Sequence, residues 1–167
     1  MGRQVNEREI VLAVLMEITE NGAYSHKILG EVLSKYQYLE KKERAFITRV
    51  TEGTLEHLIE IDYILDQFSK VKVKKMKPVI RNILRIGGYQ ILFMDKIPHR
   101  AAVNEAVEMC RRNGRPRAAG MVNAVLRKFV TNWMNMPEIR CSGTAEYLSI
   151  RYSHPLWLVK RLLEILP

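Results

Sequence analysis

Apolar residues recur along this 167-residue chain with the spacing of α-helices rather than strands. Asn6-Glu7-Arg8-Glu9 offers a capping-box start, and Val11, Val14, Leu15 and Ile18 then follow at i, i+3, i+4 and i+7. This predicts a first helix ending near Asn21-Gly22. Ser25 is placed to cap a second, with Leu29, Val32, Leu33 and Tyr36 on its inner stripe, and a polar turn from Glu40 to Glu43 separates it from a third. In the third, Ile47, Val50, Thr54, Leu58, Ile61 and Leu65 form one sustained seam, with a break near Glu60 as the alternative. Gly53 lies inside that seam. A mid-helix glycine costs about 1 kcal/mol relative to alanine, which predicts close approach by a neighbouring backbone.

The segment VKVKKMK alternates like a strand, but Pro78 follows at once and no partner strand is visible, so it reads as a basic connector. Pro78 then opens a helix whose Ile80, Ile83, Leu84, Ile86, Ile91, Leu92 and Phe93 wrap most of the cylinder. Such a helix belongs at the centre of a bundle, and Gly87-Gly88 lets another helix pack tightly against it. Asp95 to Pro98 ends it. Val103, Ala106, Val107 and Cys110 line the next helix, which stops at Asn113-Gly114; Ala119, Val122, Val125, Leu126, Phe129 and Trp133 line the last strongly patterned one. Residues 135–144 lose periodicity and read as a linker. Ser153 or His154 with Pro155 then starts a helix with the stripe Leu156, Val159, Leu163 and Leu166. The expectation is an all-α bundle of about six to seven helices over residues 1–134, then a unit over 135–167 made of a linker and a helix. An amphipathic last helix with nothing downstream to bury it predicts that the sequence was cut at a domain boundary.

An apolar fraction of 47% with 27% charged residues suits a chain that closes a core and is too hydrophobic for disorder. No uninterrupted apolar run approaches the ~18 residues of a membrane span, and no apolar signal core follows the N-terminal charges. With only Cys110 and Cys141, far apart in sequence, neither a disulfide framework nor a cysteine zinc site is encoded. A cytoplasmic protein is expected.

Charge changes the picture. Residues 1–69 hold 8 basic and 12 acidic side chains, net −4, whereas residues 70–167 hold 19 and 6, net +13. Two runs contain no acid: Lys70, Lys72, Lys74, Lys75, Lys77, Arg81 and Arg85, then Arg111, Arg112, Arg115, Arg117, Arg127 and Lys128. Segregation of this kind attracts a polyanion, and nucleic acid is the obvious one. The alternatives are solvated faces or a protein module that meets an acidic partner.

Catalytic patterns are missing. Neither G-x-G-x-x-G nor G-x-x-x-x-G-K-[ST] occurs, and His26, His57, His99 and His154 lack metal-ligand spacing. There is no G-x-S-x-G elbow, and Cys110 sits on an apolar face as a small hydrophobe. No catalytic residue, metal or cofactor is expected in the chain itself.

Residues 84–129 carry Leu84-Arg85, Gly88-Tyr89, Pro98, Asn104-Glu105-Ala106-Val107 and Val122-Asn123-Ala124-Val125-Leu126 in order. This resembles the signature of the NusB-like all-helical RNA-binding fold. Free-standing NusB factors, which bind RNA with a ribosomal protein, typically have glycine where this chain has Ala124 and an acid where it has Arg127. Gly22-Ala23-Tyr24-Ser25, Thr51-Glu52-Gly53-Thr54-Leu55, and Ser149-Ile150-Arg151-Tyr152-Ser153-His154-Pro155 with Trp157-Leu158-Val159 are similar instead to the N-terminal region of the RsmB (Sun) type of small-subunit rRNA cytosine methyltransferase. That resemblance covers about residues 5–166. It implies an RNA-binding N-terminal region, with S-adenosylmethionine and the catalytic cysteines in a downstream methyltransferase domain. Cys110 and Cys141 do not fill that role. The implied partners are small-subunit ribosomal RNA, the downstream domain and a ribosomal protein; a free-standing antitermination factor is the alternative.

The residues expected at RNA are Arg3 and Arg8, near the N-terminus where the resemblance places RNA, then Arg111, Arg112, Arg115 and Arg117, with Lys72, Lys74, Lys75 and Lys77 as a second patch. Gly53, Gly87 and Gly88 are expected as packing devices. Asn104 and Asn123, inside apolar helices, are expected to form an inter-helix hydrogen bond, with direct RNA contact as the alternative. Trp157 either anchors the last helix on the bundle or marks a surface for another domain.

Overall fold

The structure, a computed structural model, describes residues 6–141 and 143–166. Among these residues it contains nine α-helices and no strand: α1 (Glu7–Thr19), α2 (Ser25–Lys35), α3 (Lys41–Glu56), α4 (Leu58–Phe68), α5 (Pro78–Phe93), α6 (His99–Arg112), α7 (Ala119–Asn132), α8 (Thr144–Tyr152) and α9 (Leu156–Ile165). Short 3-10 turns lie at Val73–Lys75 and Pro116–Ala118. The expected all-α fold is found, with seven helices up to Asn132.

α1 starts where the sequence places it, since Asn6 Oδ1 accepts from the backbone N–H groups of Arg8 and Glu9 at 3.0 and 3.2 Å. α2 differs in detail: Ser25 is its first helical residue, and Tyr24 holds the cap position without a side-chain hydrogen bond. The long seam through Gly53 is two helices, the alternative reading, with the break at His57 rather than near Glu60. The apolar spacing runs on across the break, which is why the sequence hides it. His57 is held there by its ring, stacked on Phe93 with centroids 4.0 Å apart. The free N–H of Ile59 at the start of α4 donates to Ser153 Oγ at 3.0 Å, a cap supplied from far along the chain.

α5 is the axis of the bundle. Every residue from Asn82 to Ile91 is buried, and α1, α3, α4, α6 and α7 all pack on it. Its polar side chains are paired. The Arg85 guanidinium donates Nε and Nη2 to the two oxygens of Asp62 at 2.8 and 2.7 Å, and Gln90 Oε1 receives Arg8 Nε at 2.9 Å. Glycines make the close approaches: a Cβ on Gly53 would overlap the Tyr89 ring, and one on Gly87 would lie 2.7 Å from Leu126 Cδ1. At Gly88 it would meet Phe129 at 3.0 Å. The neighbour at Gly53 is therefore an aromatic ring, not the backbone that its position suggests.

Beyond α7 the chain is tied to α4. The Tyr63 hydroxyl accepts from the Arg140 backbone N–H at 2.7 Å and donates to the Glu138 carbonyl at 3.3 Å. α8, which the sequence pattern did not announce, buries only Ser149 and packs on α4, and α9 packs on α8. Ser153 between them has φ of +54°, a left-handed turn steadied by the Ser149 hydroxyl donating to the His154 carbonyl at 2.6 Å. Trp157 is 71% exposed and does not anchor α9 on the bundle.

Candidate nucleic-acid interface

The arginines divide by what faces them. Arg8 is half-buried, spends its Nε on Gln90 and lies 5.1 Å from the centroid of the Phe46 ring; burial lowers its pKa, against the pull of Glu105 and Glu7. Arg112 donates to Glu9 at 2.8 Å and to Glu105 at 2.6 Å. Desolvation pushes the Glu105 carboxyl up, but the hydrogen bonds from Asn6 and Arg112 outweigh it and hold the group below its ordinary value. Arg81 forks onto Glu20, whose carboxyl that hydrogen bond holds low. Arg111 pairs with Glu108 one turn back on α6. The expectation of a wholly unneutralised run at 111–117 is thus corrected: carboxylates from α1 and α6 itself reach Arg111 and Arg112. Arg3 lies outside the described residues.

Arg115 and Arg117 are exposed, and among the described residues neither has a carboxylate partner. They sit on the turn joining α6 to α7. These two helices run antiparallel and leave an open groove between their outer faces. One stretch of it, of about 490 Å³, is lined by Asn104, Val107, Glu108, Arg111, Ala119, Gly120 and Asn123. The next, about 540 Å³, is lined by Arg100, Val103, Asn104, Arg127, Val130 and Thr131. Asn104 lines both hollows, which lie one after the other along the 14 residues of α6, a helix about 20 Å long. Among the described residues the only acid on their walls is Glu108, which Arg111 engages. Arg100 and Arg127 have no carboxylate partner among the described residues, and Arg127 Nε donates to Asn123 Oδ1 at 3.1 Å. The end away from Arg117 carries Trp133, 44% exposed and edge-to-face with His99 at 5.3 Å.

Asn104 and Asn123 do not form the expected inter-helix hydrogen bond. Asn104 is exposed, with no side-chain hydrogen bond among the described residues, and the recorded bond of Asn123 is to its own helix. The sequence reasoning also passed over Arg100 as a site residue and did not bring Arg127 to this groove. The signal was available: Arg100, Asn104, Glu108 and Arg111 share one face of α6, and Gly120, Asn123, Arg127 and Thr131 share one face of α7, at spacings of three and four.

Lys72, Lys74, Lys75 and Lys77 form a separate exposed patch on the α4–α5 connector. Buried Val73 and Met76 pin that connector, and Asp66 Oδ1 accepts the Val73 N–H at 2.8 Å. Cys110 is fully buried, which pushes its thiol up and makes it unreactive. Among the described residues no helix is long and apolar enough to cross a membrane, and no cluster of three or more metal-ligating side chains occurs.

Comparison with known proteins places this helical body. Residues 5–131 match the NusB family. The chain belongs to that family. It is 35% identical over 159 residues to a probable ribosomal RNA small subunit methyltransferase B of Bacillus subtilis, a match covering 95% of this chain and 35% of that protein. It therefore spans about a third of the length of that relative. A transcription antitermination protein NusB of Lysinibacillus sphaericus is 31% identical over 123 residues, 73% of this chain and 92% of that one. In three dimensions the NusB-family fold is shared with a crystal structure of the antitermination factors NusB and NusE in complex with dsRNA, at a TM-score of 0.68 and 20% identity, covering 75% of this chain and 93% of that one.

S-adenosylmethionine, which the methyltransferase resemblance implies for a downstream domain, finds no cradle among the described residues. Such sites use a glycine-rich turn between a strand and a helix. The described glycines lie within helices, in turns between helices or at the start of α8, and none follows a strand. The residues present do not fit that cofactor.

Proposed function

We propose that this chain is the RNA-binding region of a small-subunit ribosomal RNA cytosine methyltransferase of the cytoplasm, and that the α6–α7 groove is where RNA lies. Residues 1–134 form the RNA-binding unit; residues 135–167 lead towards the part that binds S-adenosylmethionine and transfers the methyl group. One observation carries this reading: Arg100 and Arg127 line a hollow on the outer face of α6 and α7, Arg115 and Arg117 stand exposed on the turn that joins these helices, and none of the four forms an ion pair among the described residues. The paired arginines elsewhere spend part of their charge on carboxylates of the protein, whereas these four, without such a partner among the described residues, keep theirs for a phosphate backbone. The B. subtilis methyltransferase match supports the wider assignment. A free-standing antitermination factor working with a ribosomal protein is the second reading; the match behind it covers 73% of this chain against 95% and so accounts for less of the molecule.

The test is binding of the chain to a labelled small-subunit rRNA fragment across a salt series. Charge reversal of Arg100, Arg115, Arg117 and Arg127 together should weaken binding at least about 100-fold at low salt and flatten the log–log salt slope by about 3. The melting temperature should not move. Unchanged affinity in the fourfold variant defeats the groove as the RNA face.

A further inference from the structure

We infer that Asn104 and Asn123 are base-reading residues: their amides, on the two walls of the α6–α7 groove, recognise the edges of unpaired RNA bases, with adenine the best match. This rests on the RNA reading of the groove given above and adds what that reading leaves open, namely sequence preference.

Asn104 has no side-chain partner among the described residues, and the partner of Asn123 is Arg127 on its own helix. Asparagine is a poorer helix former than alanine, leucine or lysine, and an interior position on a helix wall is filled at less cost by any of those. Asn104 is exposed and forms no side-chain hydrogen bond among the described residues, so nothing in the fold compensates. Asn123 is different in a useful way. Its Oδ1 receives Arg127 Nε at 3.1 Å, which fixes the plane of the amide and leaves its NH2 group and one lone pair for a ligand.

The chemistry of the groove separates backbone from base contacts. A phosphate accepts only, so arginines suit it, and an amide carbonyl facing a phosphate repels it. A base edge offers donors and acceptors side by side, and the amide is the side chain that answers both at once; asparagine pairs with adenine through N6 and N7. The two amides stand among Val107, Ala119 and Gly120, small or apolar groups against which a flat ring can lie. A Cβ placed on Gly120 would meet nothing within 4 Å, so the wall there is open. The flanking arginines then hold the phosphates on either side of the base. At the far end Trp133, partly exposed beside His99, supplies an aromatic face for stacking a further base. Paired A-form RNA hides these edges in a deep, narrow groove, so the target is single-stranded.

The experiment measures binding of the chain to fluorescent single-stranded oligo(A), oligo(U) and oligo(C), and to a hairpin duplex, at several salt concentrations. Wild-type protein should prefer oligo(A) by about tenfold over the pyrimidine strands and over the duplex. Asn104→Leu with Asn123→Leu should erase that preference while keeping the salt slope and the melting temperature. Asn104→Gln with Asn123→Gln retains amides at the wrong reach and serves as the folding control; it should also lose the preference. Binding with a full salt slope but equal affinity for all strands overturns the inference and leaves the RNA reading standing. A preference that survives both double variants also overturns it. Failure to bind any of the four RNAs, even at low salt, defeats the RNA reading itself.

Discussion

Arg112 and Arg117 lie five residues apart at the same turn, yet the first is held by two carboxylates and the second by none among the described residues. The contrast extends across the molecule. Arg8, Arg81, Arg85 and Arg112 point towards α1, α4 or α5 and meet Gln90, Glu20, Asp62, Glu9 and Glu105; Arg100, Arg115, Arg117 and Arg127 point outward along or beyond the α6–α7 groove. The acidic first half of the chain supplies every carboxylate in the first set but Glu105, so part of the basic excess of the second half is consumed in holding the two halves together. Counting cations along the sequence therefore overstates the surface field. Among the described cations without a carboxylate partner are those of the α6–α7 face and the α4–α5 connector, with others spread over α7, α8 and α9.

The largest effect expected from breaking this contrast is at Asp62. Its replacement by alanine removes both charge-assisted hydrogen bonds of the Arg85 guanidinium, 7% exposed, and leaves it only Asn82 Oδ1 at 3.2 Å and the Glu20 carboxylate at 4.0 Å. Urea unfolding should show a loss of about 3–5 kcal/mol, as for other buried pairs cut on one side. Glu20→Gln should follow with about 1–3 kcal/mol at neutral pH, since it weakens the hold on Arg81 and Asn82. That loss should depend on pH. The Glu20 carboxyl is held below its ordinary 4.5, chiefly by the Arg81 hydrogen bond, so its contribution is complete above about pH 4.5 and disappears as pH falls through the folded value. The gap between wild type and variant in urea midpoints should close in acid; a gap that widens there would show that Glu20 is not the anchor.

Glu9→Gln with Glu105→Gln converts a paired arginine into a free one. If pairing is what keeps Arg112 from RNA, the double variant should bind slightly tighter and steepen the salt slope by about 0.7, the value of one added phosphate contact on a single strand. At the small end, Arg117→Gln should change unfolding stability by no more than about 0.5 kcal/mol, because that side chain is exposed and forms no hydrogen bond or ion pair among the described residues. A larger loss would place Arg117 in the structural set.

Much of the body was legible in sequence because helical periodicity survives packing. The central helix of wrapped apolar residues is α5, the Pro78 start and the Asn113-Gly114 stop fall where they were placed, and the connector at residues 73–75 is no strand. The misses share one cause. The break at His57 leaves the seam of Ile47 to Leu65 in phase, and what stabilises it comes from Phe93 and Ser153, distant in sequence. α8 escaped because it buries only Ser149 and presents no stripe. Asn104 and Asn123 were assigned inward because their neighbours are apolar, but a helix turns 100° per residue, and both fall on the outer arc beside Arg100 and Arg127.

The sequence by itself determined the all-helical class, the order and approximate ends of most helices, the glycines that permit close packing and the surplus of positive charge in the second half. These follow from local spacing, which one chain displays in full. Only the tertiary structure decided which cations are free, because the carboxylates that quench Arg81, Arg85 and Arg112 are brought in by folding from elsewhere in the chain, some from more than sixty residues away. It also decided that Asn104 and Asn123 lie on the outer walls of α6 and α7 beside Arg100, Arg111 and Arg127. Charge neutralisation and groove formation are properties of distance in space, and a list of residues contains no distances.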